Sequence, residues 1–173
     1  MKKIDTYEVV SLNKELCEKK LEEILNLLKL IPESNYKKED ILSEKKGERV
    51  LLGKWEYSLL VLDGQRVIGV LIAYERAREE SGLYNENCFY INEVAVLSEY
   101  KGQNIGKSLL KIFIENVERY NYLDGELKIR IQTTNSDKNK KVIELYKSVG
   151  FKKIGIKTYP SKEDIVLEIK KLW

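Results

Sequence analysis

The chain has 173 residues, enough for one domain of ordinary size around a single hydrophobic core. Its residues are 43% hydrophobic and 34% charged, a globular balance that argues against bulk disorder. The formal net charge of +3 is small and the two signs are interleaved. We therefore expect no nucleic-acid partner, because that function needs a concentrated basic face.

Two residue types exclude whole classes of site. The chain has no histidine, which rules out the common zinc sites and every Ser-His or Cys-His catalytic arrangement. The two cysteines, Cys17 and Cys88, form neither a disulfide framework nor a paired-cysteine metal spacing. We expect a function that needs no metal ion.

The sequence predicts neither a signal peptide nor a membrane span. The start, MKKIDTYEVV, lacks a long apolar stretch, and no run approaches the roughly 20 apolar residues that cross a bilayer. A cytoplasmic location without a membrane partner is the expectation.

The N-terminal half predicts a strand, two helices and a β-hairpin. The expected elements are a strand at 6–12, a helix from Lys14 to about Leu30, a shorter helix near 37–44, and strands at 57–62 and 67–74. Asn13 is placed to cap the first helix and Pro32 to end it. Asp63-Gly64 between the two strands is a strong hairpin signal.

The C-terminal half predicts alternating strands and helices after a polar loop at 76–87. The expected elements are a strand at 89–97, a helix at 107–119, a strand at 127–132, a helix at 138–149, and strands at 151–156 and 165–169. The strand at 89–97 is apolar nearly throughout, as in strands buried on both faces, and Gly150 is placed to end a helix. Without an internal repeat or linker, one α/β domain over residues 1–173 is expected.

The segment VAVLSEYKGQNIGKSLL predicts a strand, a glycine-bearing loop from Lys101 to Gly106, and a helix. Such a loop directs backbone N–H groups and the positive end of the helix dipole at one place, which favours a phosphate or pyrophosphate. Gly102 and Gly106 would let the anion approach. The spacing fits neither a Walker loop nor a dinucleotide fingerprint, and a plain strand-to-helix turn is the alternative.

This loop resembles motif A of the GNAT superfamily of acetyl-CoA-dependent N-acetyltransferases, which reads R/Q-x-x-G-x-G/A. Lys101 stands where that family has Arg or Gln, Asn104 where it has Gly, and Gly106 at the closing small residue. Lysine keeps the positive charge, and asparagine tolerates a left-handed conformation better than most residues.

A second segment, NKKVIELYKSVGFKKIG, is similar to the family's motif B, N-x-x-A-x-x-x-Y-x-x-x-G-F. Asn139, Tyr146, Gly150 and Phe151 match it, and Val142 replaces the alanine. The resemblance implies the GNAT fold: a single mixed, mostly antiparallel α/β sheet of about seven strands, with helices on both faces and splayed central parallel strands.

The resemblance also implies acetyl-CoA as co-substrate, bound in the cleft between the strands at 89–97 and 127–132. The pantetheine arm would bond to the backbone of Val94, Ala95 and Val96. The pyrophosphate would take N–H groups from Lys101, Gly102, Gln103, Asn104, Ile105, Gly106 and Lys107. The Asn139 side chain would contact the pantetheine or phosphate region; its alternative is a helix N-terminal residue only.

Tyr146 lies at the position that protonates the leaving thiolate in many members of the family, and there it would also contact the cofactor. Its ordinary pKa near 10 keeps it protonated at neutral pH, although packing on an amphipathic helix is the alternative. Glu93, a carboxylate on an apolar strand, is the leading base, while ordered water could also take the proton. Asn92 is its alternate, expected to point to the other face. The Val94 N–H is the expected oxyanion donor.

The acceptor side is expected at the two N-terminal helices, the loop at 76–87 and the turn at 158–161. That loop carries both charge signs, so the sequence does not choose between a cationic and a carboxylate-bearing acceptor. Its residues include Arg76, Arg78, Glu79, Glu80, Tyr84 and Glu86. An N-acetyltransferase acting on a small amine is expected. A protein or peptide acetyltransferase and a non-catalytic acyl-CoA-binding module are the alternatives, and a homodimer is left open.

Overall fold

The computed structural model describes residues 2–4, 6–32, 35–77, 87–120 and 126–172. These residues form ten strands: β1 (Lys2–Ile4), β2 (Tyr7–Ser11), β3 (Lys45–Lys46), β4 (Arg49–Val50), β5 (Leu59–Asp63), β6 (Arg66–Arg76), β7 (Cys88–Val96), β8 (Glu126–Thr134), β9 (Lys152–Thr158) and β10 (Glu163–Leu172). They also form six α-helices: α1 (Lys14–Lys19), α2 (Leu21–Leu28), α3 (Lys38–Leu42), α4 (Lys54–Tyr57), α5 (Ile105–Tyr120) and α6 (Lys140–Ser148).

Eight of the strands make one sheet in the order β1-β2-β5-β6-β7-β8-β10-β9. Only β7 and β8 pair in parallel, and all other neighbours are antiparallel. The predicted mixed, mostly antiparallel sheet is therefore confirmed, with the short β1 bringing the strand number to eight. The remaining strands, β3 and β4, form a separate small hairpin that the sequence analysis did not predict.

Helices cover both faces of the sheet, as expected. Leu109, Leu110, Phe113 and Val117 bury the inner face of α5 on one side, next to α6. On the other side, the apolar face of α2 packs against β5 and β6. Each fully buried Leu or Phe side chain contributes about 1.5–3 kcal/mol of transfer free energy. Burial on both faces is why β6 and β7 read as nearly continuous apolar runs.

The parallel pair separates after three residue pairs. β7 and β8 are paired at Phe89–Ile129, Tyr90–Arg130 and Ile91–Ile131. Beyond Ile91, β7 pairs only with β6, and beyond Ile131, β8 pairs only with β10. A bulge occurs at the same point: Ile91 pairs with Ala73 and Glu93 with Ile72, which leaves Asn92 without an opposite residue. The predicted splay between the central strands is thus present.

Several predicted boundaries were wrong. The long helix expected from Lys14 to about Leu30 is two helices, because the backbone breaks at Lys20 (φ −107°, ψ 12°). The strand expected from Tyr57 begins at Leu59, since α4 occupies the preceding residues. The hairpin loop is one residue later than expected: Asp63 still pairs with Arg66, and Gly64 (φ 57°) begins the loop.

Local end signals did hold. The Asn13 side chain accepts a hydrogen bond from the Leu16 N–H at 2.8 Å, as an N-cap residue does. Gly150 has φ 106° just after α6, a conformation that a side chain would strain. Of the loop expected at 76–87, Arg76 belongs to β6, and residues 78–86 lie outside the described part of the chain.

Candidate active site

The loop between β7 and α5 directs a series of backbone N–H groups at one place. Gly102 has φ 87°, and Asn104 has φ 59°, the only positive φ at a non-glycine residue among the residues described. The first α5 backbone bond runs from the Ser108 N–H to the Asn104 oxygen (2.9 Å). Within the described part of the chain, the N–H groups of residues 102–107 have no hydrogen-bond acceptor. Together with the dipole of the 16-residue α5, they make a positive region at the helix start.

Buried and polar contacts fix this loop in place. The Ile105 side chain is 1% exposed within the core, while residues 101–104 are exposed. The Tyr7 hydroxyl donates to Gln103 Oε1 at 2.8 Å, and the Tyr100 hydroxyl donates to Asp63 Oδ2 at 2.7 Å. A β-carbon added at Gly106 would lie 3.5 Å from Leu145 Cδ2, so the start of α5 lies close to α6.

Two backbone N–H groups of β7 face the gap where β8 turns away. The Leu97 N–H donates to the Ile68 oxygen, on the β6 side. Because N–H direction alternates along a strand, the Val94 and Val96 N–H groups point to the opposite side, toward the gap. Ala95 points its N–H toward β6 and buries its side chain on the face of the N-terminal helices.

Tyr146 of α6 is 5% exposed and its ring lies edge-on to Phe151, with ring centroids 6.1 Å apart. Burial is the main cause that raises its pKa above the ordinary value, and the charges of Glu93 and Tyr90 add to it. The Tyr146 phenol therefore stays protonated at neutral pH and lies within electrostatic reach of Glu93.

Asn139 precedes α6 and is half-buried. Its Nδ2 donates to the Thr134 oxygen at 3.0 Å, which ties the start of α6 to the end of β8. This bond gives Asn139 a structural role and still leaves its Oδ1 and a second N–H.

Glu93 lies at the bulge of β7 and is half-buried. Its Oε1 accepts a hydrogen bond from the Tyr36 hydroxyl at 2.5 Å. Burial raises the pKa of Glu93 above its ordinary value, while the Tyr36 bond and the charges of Lys46 and Lys162 act in the opposite direction. A carboxylate with a raised pKa next to a cavity is suited to general base chemistry.

The expectation that Asn92 points to the other face from Glu93 was wrong. Asn92 Nδ2 donates to the Tyr36 hydroxyl at 2.7 Å, so both side chains contact the same tyrosine. The bulge is the physical reason: one extra residue in β7 interrupts the alternation and places two consecutive side chains on one face.

The hydrogen bonds around Glu93 form a continuous network in which each group donates to the next one toward Glu93. The Tyr74 hydroxyl donates to Asn92 Oδ1 at 3.2 Å, and Arg76 Nη2 makes a longer contact, 3.4 Å, to the Tyr74 oxygen. Asn92 and Tyr36 then continue this hydrogen-bond network to Glu93, so that it has the Arg76 cation at one end and a carboxylate at the other. Sequence reasoning missed Tyr36 and Tyr74, since no motif or spacing links residues so far apart in the chain.

A cavity of about 350 Å³ opens beside this hydrogen-bond network. Its lining comes from the segment before α3, from α3, β3, the segment before α4, α4, β6 and the bulged part of β7. The residues are Asn35, Tyr36, Asp40, Ile41, Lys45, Lys46, Leu51, Lys54, Ile72, Tyr74, Asn92 and Glu93. The turn between β9 and β10 is near, because the charge of Lys162 acts on Glu93. In that turn, the Tyr159 oxygen accepts a hydrogen bond from Gln132 Nε2 at 2.7 Å.

Within the described ranges, no group of three or more Cys, Asp or Glu residues is arranged to hold a metal ion. No helix among those residues is long and apolar enough to cross a membrane.

Comparisons with known proteins agree with this geometry. The sequence model described as the acetyltransferase (GNAT) family matches residues 21–151. Ard1 from Thermoplasma volcanium has a TM-score of 0.74 at 16% identity, with 97% of this chain and 99% of that chain covered. Arabidopsis thaliana Naa50, in complex with the bisubstrate analogue CoA-Ac-MVNAL, has a TM-score of 0.69 at 16% identity, covering 95% and 98%.

The ribosomal-protein-S18-alanine N-acetyltransferase from Escherichia coli has a TM-score of 0.69 at 15% identity, with 96% of this chain and 95% of that chain covered. A sequence comparison with curated proteins gave no match. At these identities the solved structures show the shared fold, and the family match covers most of the chain.

Proposed function

This chain belongs to the GNAT family of acetyltransferases, and from that premise we propose that it transfers an acetyl group from acetyl-CoA to a primary amine. Transfer is by direct attack in a ternary complex, with a small molecule as acceptor. The observation that carries this proposal is the gap between β7 and β8, where backbone donors of β7 have no partner among the described residues, together with the Glu93 cavity on the face of β7 that the N-terminal helices cover.

The donor would bind through backbone groups. The N–H groups of Val94 and Val96 face the gap. The Val96 N–H suits an amide carbonyl of a pantetheine arm lying beside β7 like an added strand, and the Val94 N–H suits the thioester carbonyl. The loop from Lys101 to Lys107 suits the pyrophosphate, because its N–H groups converge at the positive end of α5. The second N–H of Asn139, at the start of α6, would be a side-chain donor to the pantetheine or phosphate region.

The acid and base would lie on opposite sides of the thioester. The amine nitrogen attacks the carbonyl carbon and gives up a proton to Glu93. The developing oxyanion is stabilised by the Val94 N–H. The carbon–sulfur bond then breaks, and the thiolate takes a proton from Tyr146, which is reprotonated from solvent. No covalent enzyme intermediate is needed, in keeping with a chain without histidine.

Tyr36 would position the base. Its hydroxyl donates its one proton to Oε1 of Glu93, which leaves Oε2 for the acceptor amine. The same bond lowers the pKa of Glu93 against the larger effect of burial, which favours the ionised form that a base needs.

A thiol-release assay tests the proposal. Acetyl-CoA is supplied with a panel of small amines and short peptides, and mass spectrometry identifies the acetylated product. We expect acceptor-dependent release of coenzyme A with at least one small amine. Tight binding of acetyl-CoA without turnover of any acceptor would instead indicate a non-catalytic acyl-CoA-binding module.

Acetylation of a peptide or protein N-terminus is the second candidate. It is favoured by the fold similarity to Naa50, whose structure contains an analogue joining CoA to the peptide MVNAL. The cavity of about 350 Å³ favours the small acceptor. Higher kcat/KM for peptides than for every small amine in the same panel would reverse this order.

A further inference from the structure

The cavity beside Glu93 has an uneven distribution of charge. Three lysines, Lys45, Lys46 and Lys54, contribute to its lining and are called the lysine wall here. The lining also contains two carboxylates, Asp40 and Glu93. Asp40 Oδ2 accepts a hydrogen bond from the Lys37 N–H at 2.8 Å, an internal bond at the start of α3.

Among the described residues, no carboxylate pairs with the two outer lysines of the wall. Lys45 and Lys46 are exposed on β3, and neither forms an ion pair with a described residue. The charge of Lys46 nevertheless lowers the pKa of Glu93, so this lysine and the proposed base influence the same cavity.

The inner lysine is a buried cation. Lys54 is 3% exposed, and its Nζ donates to the carbonyl oxygens of Ser43 at 2.5 Å, Ile41 at 2.6 Å and, more weakly, Asp40 at 3.4 Å. Burial lowers the pKa of Lys54 to about 8, against the charges of Cys17, Glu44 and Asp40. Its partners are neutral carbonyls rather than carboxylates, so its charge adds to the positive potential of the wall.

We propose that the acceptor is a small amine bearing an anionic group, a carboxylate or a phosphate, with the amine at Glu93 and the anionic group at the lysine wall. The cavity offers the amine the Glu93 carboxylate, whose Oε2 has no hydrogen-bond partner among the described residues. It offers the anion the two exposed lysines, with the buried charge of Lys54 behind them. A diamine or polyamine would instead place a second positive charge against this wall, which costs free energy through like-charge repulsion. The inference rests on the proposed function, because it assigns Glu93 to the amine.

The test uses matched pairs of acceptors in the thiol-release assay: glycine with glycinamide, 4-aminobutanoate with 4-aminobutanamide, and phosphoethanolamine with ethanolamine. 1,4-Diaminobutane is the dicationic probe. Each is measured with the wild type, with the double variant Lys45→Gln/Lys46→Gln, and with Lys111→Gln on the exposed side of α5, across the sheet, as the matched control. Comparing wild type with variant for one acceptor cancels that acceptor's own amine pKa.

We expect the double variant to lower kcat/KM about 5- to 10-fold for the anionic member of at least one pair, and less than about twofold for its neutral partner. Lys111→Gln should change neither. The carboxylate and phosphate pairs then show which anion is preferred. The dicationic probe should be the poorest acceptor with the wild type and improve in the double variant.

An equal loss of kcat/KM for both members of every pair would overturn the inference. So would a kcat/KM for 1,4-diaminobutane that is the same in the wild type and the double variant. So would a rise confined to the KM of acetyl-CoA, which would assign the lysines to the phosphates of the donor. In those cases amines are still acetylated and the proposed function stands. Absence of turnover with every amine would remove the proposed function, and this inference with it.

Discussion

The two substrates that we propose would be bound by different means on the two sides of β7. On the proposed donor side, the available groups are backbone N–H groups of β7 and of the loop before α5. On the proposed acceptor side they are side chains, Glu93, Tyr36 and the lysine wall, and Glu93 lies far from the others in the sequence. A donor site built from backbone would keep its function when side chains change, as we propose for Lys101 and Asn104. An acceptor site built from side chains can change its substrate with a few substitutions.

The largest effect is expected on the acceptor side, from Glu93→Gln. Removing a general base costs about 100-fold or more in kcat. The affinity for acetyl-CoA, measured by titration calorimetry, should stay within about twofold, because the donor contacts are on the other side of β7. Glu15→Gln on the exposed side of α1 is the control. A loss of less than about threefold would indicate that water takes the proton.

On the donor side, Tyr146→Phe should lower kcat about 10- to 100-fold by removing the proton for the thiolate. The thermal midpoint of unfolding should change little, because the Tyr146 hydroxyl makes no hydrogen bond to a described residue. Unchanged turnover would leave Tyr146 as a packing residue of α6.

Tyr36→Phe should have an intermediate effect, about 10-fold in kcat/KM, and should move the pH profile. The Tyr36 bond lowers the pKa of Glu93, so its loss raises that pKa, and the acid limb of the profile shifts to higher pH. Tyr74→Phe, which is further from Glu93 in the hydrogen-bond network, should shift the acid limb of the pH profile less. Equal profiles for the wild type and Tyr36→Phe would contradict a positioning role.

The smallest effects are expected from substitutions in the loop before α5, which distinguish binding by its backbone from binding by its side chains. Gly106→Val should raise the KM for acetyl-CoA about fivefold, since a branched side chain would crowd Leu145 or the approaching anion. Gln103→Ala removes only an exposed side chain with a bond to Tyr7, and should change that KM by less than about twofold. The opposite ranking would mean that the loop binds through its side chains.

The same contrast explains what the sequence could predict. The donor side lies in two short contiguous segments whose spacing matches a family pattern, so the loop conformation at Gly102 and Asn104 could be expected. The bulge at Asn92 has no local signal, because it depends on how β7 pairs with β6. Tyr36, Tyr74 and Lys54 line one cavity with Glu93 only in the folded chain, and nothing in their spacing reveals this arrangement.

Direct acetyl transfer requires both substrates to be bound at once, on opposite sides of β7. Initial rates measured while acetyl-CoA and an accepted amine are varied together test this directly. We predict intersecting lines in the double-reciprocal plot and no acetylated protein when acetyl-CoA is supplied alone. Parallel lines, with an acetyl group found by mass spectrometry on Cys17 or Cys88, would contradict direct transfer across β7.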